Sequence, residues 1–540
     1  TPEVPESKEQ YIFHKDDATG ANYQRIPALL TLKSGRVIAA ADERFGGTHD
    51  SPNNIDIGVS VSDDDGKTWS DPELVLYFDD FADDELELPR GAQVRVNASE
   101  SFIDPILFQD AETERVFLIA DAMVSGYGSP QAVAGSGYKT VNGKSYMQLK
   151  KKGESAYNYT IRENGVIYND TTNTATEYSV NGNYELYKNG VALTVKQKSA
   201  SYNGSSIVVS TTDKDVKMNV FYDSADFVVL PTTWLCMKYS DDDGDTWSDP
   251  IFLNGQVKND PERIMIVGPG RGTQLTIGEH AGRILVPVYN NNFSGVIYSD
   301  DHGDTWTYKR GPVTNGVAMS ETQFVEMPDG SVRVFARSNN SKIASAVSLD
   351  GGETWSDAQY VDGLTQPGWG SQLSVLRYSG LIDGKEAIIL SSPAGVGSYR
   401  RDGRIKIGLI SDTGATGIDR YAIDWKYDFQ VNDTNTGYAY SCLTELDNEN
   451  IAVLYERYDS YAPAELHAQN AMIYQEFSFD QLMKGETVTI RTEASANAAI
   501  TKRNTVLKGA NATVEAIANE GYVFLEWVDE NNQTVAKEAI

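Results

Sequence analysis

The chain has 540 residues, 40% of them hydrophobic and 10% aromatic, enough for more than one domain and a sizeable core. Its formal charge of −31 argues against a nucleic-acid binder, which needs a basic surface, and suits a solvated, exported protein, although acidic cytosolic enzymes share it. No run of about 18 apolar residues occurs, so no membrane span is predicted.

Residues 1–10 read as a linker. The opening Thr1-Pro-Glu-Val-Pro-Glu-Ser7 lacks the basic-then-apolar profile of a leader, and a longer parent chain is expected. Next comes Tyr23-Gln24-Arg25-Ile26-Pro27, an arginine set between an aromatic and a strand-like run. A second apolar run, Val37 to Ala41, leads into the charged, glycine-rich loop Arg44-Phe-Gly-Gly-Thr-His-Asp50. Loops leaving such strands carry function.

At Ser62 the first of four turn boxes begins, with the pattern Ser-x-Asp-x-Gly-x-Thr-Trp; the others begin at Ser240, Ser299 and Ser348. Repetition of this kind marks a repeated architecture. In each box the Asp is expected to bond amides of its own loop and the Gly to supply φ > 0. The Trp is expected to pin the turn, and the Thr-Trp pair to begin the next strand. A catalytic or calcium role for the boxes is not expected: the best cation candidate, Asp241-Asp-Asp-Gly-Asp245, breaks the calcium-loop template.

The starts lie 178, 59 and 49 residues apart. The two short gaps suit propeller blades of four strands. The long gap predicts a β-rich insertion over 126–230, rich in Tyr, Asn, Thr and Gly. Asn-Gly pairs at 142–143, 164–165, 181–182 and 189–190 signal hairpins there. Beyond it, Cys236 and Cys442 fit no zinc spacing or disulfide framework and read as buried free thiols. Gly268-Pro-Gly-Arg-Gly272 lacks the Lys-Ser/Thr of a phosphate loop. Short helices are expected around Glu321 and Asp480. After Gly485 the composition shifts, and 485–540 is predicted to be a small, truncated β module. The body at 11–484, less its insertion, has room for six blades of about 64 residues or seven of about 55.

Arg25-Ile-Pro together with the four boxes resembles the bacterial exo-α-sialidases (neuraminidases) of the Asp-box type, over about residues 10–480. That resemblance implies an all-β fold, a six-bladed β-propeller with the β-rich inserted subdomain and the small C-terminal β module. It implies a site, position by position. Arg25, Arg337 in Val-Phe-Ala-Arg and Arg400 in Tyr-Arg-Arg-Asp would clamp the substrate carboxylate, with Arg401 and Arg404 as alternatives for the third. Asp50 would be the acid/base, Tyr440 in Ala-Tyr-Ser the nucleophile, and Glu321 in Met-Ser-Glu-Thr its partner. Arg44 and Asp104 resemble the pair that holds the sugar's 4-hydroxyl. Gln24 departs from the family's Phe/Tyr before the Arg. Glu326 and His49 are read as neighbours without a chemical role.

Those residue types suit the chemistry. Three guanidinium groups can grip a carboxylate through charge-assisted hydrogen bonds. A neutral tyrosine hydroxyl approaches that anion without the repulsion a carboxylate nucleophile would meet, and tyrosine-dependent sialidases are a recognised exception among glycosidases. The implied activity is exo-α-sialidase: release of terminal sialic acid from glycoproteins, glycolipids or oligosaccharides, with retention, no cofactor and no metal, by a monomer. The alternatives are trans-sialidase chemistry, intramolecular included, and a non-catalytic carbohydrate-binding propeller. Trans-sialidase members of the family tend to carry Thr two residues before the Glu and a Trp over the glycerol side of the sugar. Here Met319 and Tyr461 occupy those places, which favours hydrolysis.

Overall fold

The computed structural model describes residues 7–15, 17–83, 86–89, 92–290, 293–395, 397–457, 471–494 and 496–539. The fold is all-β and propeller-like. Among the described residues the only α-helices are two single turns, Asn254–Val257 and Phe479–Leu482. The second, around Asp480, is closed by a capping box between Ser478 and Gln481. The first has no counterpart among the expected elements; the helix expected at Glu321 is absent. Residues Thr322–Glu326 form a strand buried along its whole length.

The chain runs as successive four-stranded antiparallel units. The first is Tyr23–Thr31, Val37–Arg44, Ile55–Ser62 and Glu73–Leu76. The second is Ser101–Gln109, Val116–Met123, Trp234–Ser240 and Ile251–Phe252. Then come a unit built on Ile284–Tyr289, Ser294–Ser299 and Thr307–Arg310, and one from Thr322–Glu326 to Gln359–Thr365. Another spans Ser374–Ile382 to Tyr421–Gln430. The last contains Ser441–Glu445, Ile451–Glu456 and Ala471–Phe477, and its fourth strand is Gln10–His14 from the other end of the chain. Ile266–Val267 and Gly270–Arg271 precede the three strands of the third unit and lie beside Ser101–Gln109, the other opening strands follow one another in the same way, and Ser441–Glu445 packs beside Tyr23–Thr31, so the ring is closed.

The core lies in wedges between neighbouring sheets. One joins Phe13, Leu29, Val37 and Ala39 to Cys442, Leu454 and Met472 across the closure. Another joins Leu285 and Val296 to Phe324, Val334 and Ala346. A strand such as Val37–Arg44 is therefore buried on both faces and reads as a continuous run instead of an alternating one. Both cysteines are buried free thiols.

The four turn boxes share one geometry. In each, the Thr amide donates to the Asp carboxylate at 2.8 Å and the Thr hydroxyl bonds its other oxygen. The Gly amide donates to the Ser hydroxyl at 2.8–2.9 Å. The Asp side chains are thus used inside their own loops. The expectation that Thr-Trp opens a strand is corrected. The next strand begins one residue after Trp306, at Thr307, and four after Trp69, at Glu73. The Trp is part of the turn, its indole donating to the Gly carbonyl at 3.1 Å in three of the boxes.

Between Met123 and Trp234, which lie on directly paired strands, the chain leaves the ring and returns. The intervening strands, from Tyr138–Val141 to Phe227–Val229, build a separate sheet and a two-stranded ribbon, Thr194–Tyr202 with Ile207–Lys217. Asn142-Gly143 and Asn189-Gly190 are two-residue turns with φ of 51° and 79°, and 49° and 76°. The apolar side of this sheet (Leu149, Ile167, Leu186, Phe227) is continuous with the core under Phe102, Trp234 and Phe252. The tail also joins the ring: Asn504–Leu507 pairs in parallel with Ser374–Ile382 and adds Thr487–Ile490 beyond it.

Candidate active site

In an antiparallel unit the start of the first strand, the end of the second and the start of the third lie at one end. The candidate residues fall at these places. Arg25 is near the start of a first strand, while Glu321 and Tyr440 immediately precede first strands. Arg44 and Arg337 end second strands. Asp50 and Arg400 occupy second-to-third loops. The boxes, each following a third strand, are at the other end of the sheets. So is a cavity of about 630 Å³ lined by Thr31, Glu326, Arg377 and Glu445, which holds none of the candidates.

Two neighbouring first strands are bent in the same way to present a side chain. The register slips between Arg25 and Ala28, with Ile26 at φ 63°, and between Ile103 and Ile106, with Asp104 at φ 65°. Each left-handed residue precedes a proline, a costly combination for a side chain with a Cβ. Bulges of this kind re-aim residues beside functional sites. Ile26 packs on Ala439 and Tyr440, which couples the first bulge to the tyrosine.

At the centre, the Tyr440 hydroxyl donates to Glu321 Oε1 at 2.5 Å and accepts from Arg337 Nη1 at 2.9 Å. The same Nη1 bonds the other Glu321 oxygen at 3.0 Å. The guanidinium groups of Arg25 and Arg400 each lie 5.2 Å from the centroid of the Tyr440 ring. Burial, then the Glu321 charge, hold the phenol well above its ordinary pKa, so it cannot lose its proton without a base. Of the three candidates for the third arginine, only Arg400 faces the tyrosine. Arg401 reaches Asn435, and Arg404 pairs with Asp402 and Asp428.

Arg25 is held from behind by Glu456, with Nε and Nη2 donating to its two oxygens at 2.5 and 3.2 Å. Glu456 is fully buried and sits opposite Tyr440 across a hairpin, its amide donating to the Tyr440 carbonyl at 2.9 Å. Arg44, fully buried, donates to Asp42 at 2.7 Å, to the Thr48 carbonyl at 2.6 Å and to Asp50 at 2.9 Å. Asp50 also lies 3.7 Å from Arg25, and its side chain stays 68% exposed to the cleft. Partial desolvation opposes the Asp50 charge, but Arg44 and Arg25 outweigh it and hold its pKa at about 2. Asp104 takes the opposite course. Burial, with Asp121 and Asp42 close by, pushes its carboxyl well above the usual range and favours the protonated form, which can donate.

The structure thus gathers Arg25, Arg44, Asp50, Asp104, Glu321, Arg337, Arg400 and Tyr440 in one cleft. Tyr461 lies outside the described residues. Gln24 is buried and bonds the Ala21 carbonyl and Glu43, away from the cleft chemistry. Glu326 bonds Thr276 and the amide of Ile277, and His49 faces Arg95. Sequence reasoning missed Glu456 and Asp42. The one signal was an acid at the end of an apolar strand, as in Ile451–Glu456.

Residues 193–445 match the BNR repeat-like domain, and residues 488–539 the divergent InlB B-repeat domain. Among curated proteins, the chain is 48% identical over 478 residues to an anhydrosialidase of Macrobdella decora and 40% identical over 483 residues to sialidase B of Streptococcus pneumoniae. The alignments cover 87% and 88% of this chain; it spans 62% of the first relative's length and 67% of the second's. Among solved structures, the intramolecular trans-sialidase of Ruminococcus gnavus in complex with oseltamivir carboxylate superposes with a TM-score of 0.84 at 49% identity. That match covers 87% of this chain and 97% of the other. A leech intramolecular trans-sialidase, complexed with 2,7-anhydro-Neu5Ac prepared by soaking with 3'-sialyllactose, gives 0.85 at 46% identity, covering 88% and 71%.

Proposed function

The chain belongs to the sialidase family, and we propose that it removes terminal α-linked sialic acid from glycoconjugates through a covalent intermediate on Tyr440. The observation that carries this reading is the 2.5 Å pair of Tyr440 and Glu321 beneath three arginines. Arg25, Arg337 and Arg400 would take the substrate carboxylate, each well-placed charge-assisted bond contributing about 1.5–3 kcal/mol. The protein's overall negative charge opposes an anionic ligand, so affinity has to come from this local cluster.

Tyr440 Oη attacks the anomeric carbon and its proton passes to Glu321. The bond to the leaving oxygen breaks as Asp50 protonates it. Asp50, now a carboxylate, takes the proton of the incoming hydroxyl group, which displaces Tyr440 from the anomeric carbon; Glu321 returns the proton to the phenolate. Two displacements give retention. In the free enzyme Asp50 is ionised by its two arginines. A bound carboxylate that draws Arg25 away removes one of them and readies Asp50 to carry a proton. Arg44 and the Asp104 carboxyl would meet the sugar's 4-hydroxyl.

The incoming hydroxyl group belongs to water in hydrolysis and to the sugar itself in intramolecular transfer, and the two give distinct products. The names of the relatives favour the second, intramolecular transfer to a 2,7-anhydro sugar. They weigh against the hydrolytic leaning drawn from Met319, which is buried. The test is turnover of a 4-methylumbelliferyl sialoside by the wild type and by Tyr440→Phe, followed by product NMR. Absence of wild-type turnover defeats the sialidase reading. Free sialic acid as first product defeats intramolecular transfer.

We also read the ring as six-bladed, with 126–230 as an insertion and 485–540 as a separate module in evolutionary origin. The reading as a secreted or cell-surface bacterial monomer rests on the chain's acidity and on the repeat-type tail.

A further inference from the structure

Of the eight tryptophans, seven are buried or half-buried. Trp369 alone is exposed, at 62%. It sits in the loop that joins Gln359–Thr365 to Ser374–Ile382. This loop is fixed from within: Gln366 Nε2 donates to the Ser371 carbonyl at 2.9 Å, and the Gly370 amide to the Pro367 carbonyl at 2.8 Å. It is also fixed from the site. Arg337 Nη2 donates to the Trp369 carbonyl at 2.8 Å, and Arg400 Nε to the Gly370 carbonyl at 3.1 Å. Gly370 is left-handed, with φ 67°, and a Cβ there would lie 2.8 Å from Arg337 Cγ, so the backbone comes closer than another residue would allow. Two of the three carboxylate-binding arginines therefore hold successive carbonyls of the loop that displays the indole.

We propose that Trp369 is a specificity-determining residue, a platform for the sugar to which the sialic acid is attached. The inference rests on the sialidase reading above. In a sialoside the carboxylate and the glycosidic oxygen share one carbon. A side chain anchored beside the carboxylate clamp is therefore close to the first residue of the leaving group. A hexopyranose presents a face of C–H groups that an indole can cover, with offset contact against the ring's negative face. Trp supplies such area at a small entropic cost, since it has two side-chain torsions. The hydrogen bonds that fix the loop to the site use its backbone and Gln366.

The test pairs two ligands that differ in the leaving group. Trp369→Ala should lower kcat/KM for 3'-sialyllactose about tenfold, and Trp369→Phe should recover most of it. The Kd of 2,3-didehydro-2-deoxy-sialic acid, which has no leaving group, should stay within twofold in both variants. Unchanged kcat/KM in Trp369→Ala overturns the inference. So does an equal loss in both measurements, which would make the loop a support for the arginines. A wild type that does not cleave sialyllactose removes the sialidase reading, and this inference with it.

Discussion

Replacing Glu456 with glutamine keeps the size of the side chain and removes its charge. The carboxylate is fully buried and gives Arg25 a two-point anchor at 2.5 and 3.2 Å. Glutamine leaves one acceptor and turns an NH2 group toward the guanidinium. Breaking a fully buried pair costs about 3–5 kcal/mol. Arg25 is 14% exposed and keeps Asp50 at 3.7 Å, so the cost falls at or just below that range, and a loss of about 2–3 kcal/mol in unfolding free energy is expected. The kinetic cost comes from a clamp arginine that is no longer aimed. One charge-assisted bond is at stake, so kcat/KM on a methylumbelliferyl sialoside should fall about 10- to 100-fold. The loss should lie mainly in KM, because the carboxylate is held in ground state and transition state alike. The check is steady-state kinetics beside urea unfolding, repeated on an Arg25→Lys background, where Glu456→Gln should cost little more. Wild-type kcat/KM in the single variant, or full additivity in the double, would refute the idea that Glu456 acts through Arg25.

Asp50 gives a prediction with a defined sign. The free enzyme holds it at about 2, so it is ionised at pH 5. A ligand carboxylate that engages Arg25 raises this value, and protons are taken up on binding, never released. Calorimetry of a sialic acid analogue at pH 5 in two buffers of different ionisation enthalpy should show uptake of up to one proton per site, falling as pH rises and absent in Asp50→Asn; zero uptake in the wild type counts against the switch. The boxes give a contrasting expectation. Asp301→Ala removes the acceptor for Ser299 Oγ, Thr305 N and Thr305 Oγ1, and should cost about 1–3 kcal/mol of stability. Because that turn is at the far end of the sheets, kcat/KM should stay within twofold; a larger drop would mean that the boxes reach the chemistry.

The parts of the site that sequence could reveal are those carried by local pattern. Arg25-Ile-Pro marks a bulge that the backbone needs a fixed set of residues to make, and the boxes are closed hydrogen-bonded units eight residues long. Glu456 has no such signature: its meaning depends on a partner 431 positions away. The helix expected at Glu321 fails for a related reason. Thr322–Glu326 is a first strand, buried on all sides near the centre of the ring, where Gln323 bonds the Pro269 carbonyl. Its polar residues do not alternate with apolar ones, so the period of two is lost. The tail alternates well enough to be read as strands, but nothing in its residues names the edge of Ser374–Ile382 as its neighbour.

The sheet that closes the ring pairs Gln10–His14 with Ala471–Phe477, and next to it Arg25 meets Glu456 and Tyr440. A ribosome releases Arg25 431 residues before Glu456. Until the closing strands emerge, Tyr23–Thr31 has no neighbour on that side, and Arg25 has neither its anchor nor its tyrosine. Contacts of such sequence separation form late and slowly. On the sialidase reading, nascent chains and fragments that stop short of the closing sheet are expected to be silent toward sialosides however well their own strands fold, and the appearance of activity should report completion of the whole ring.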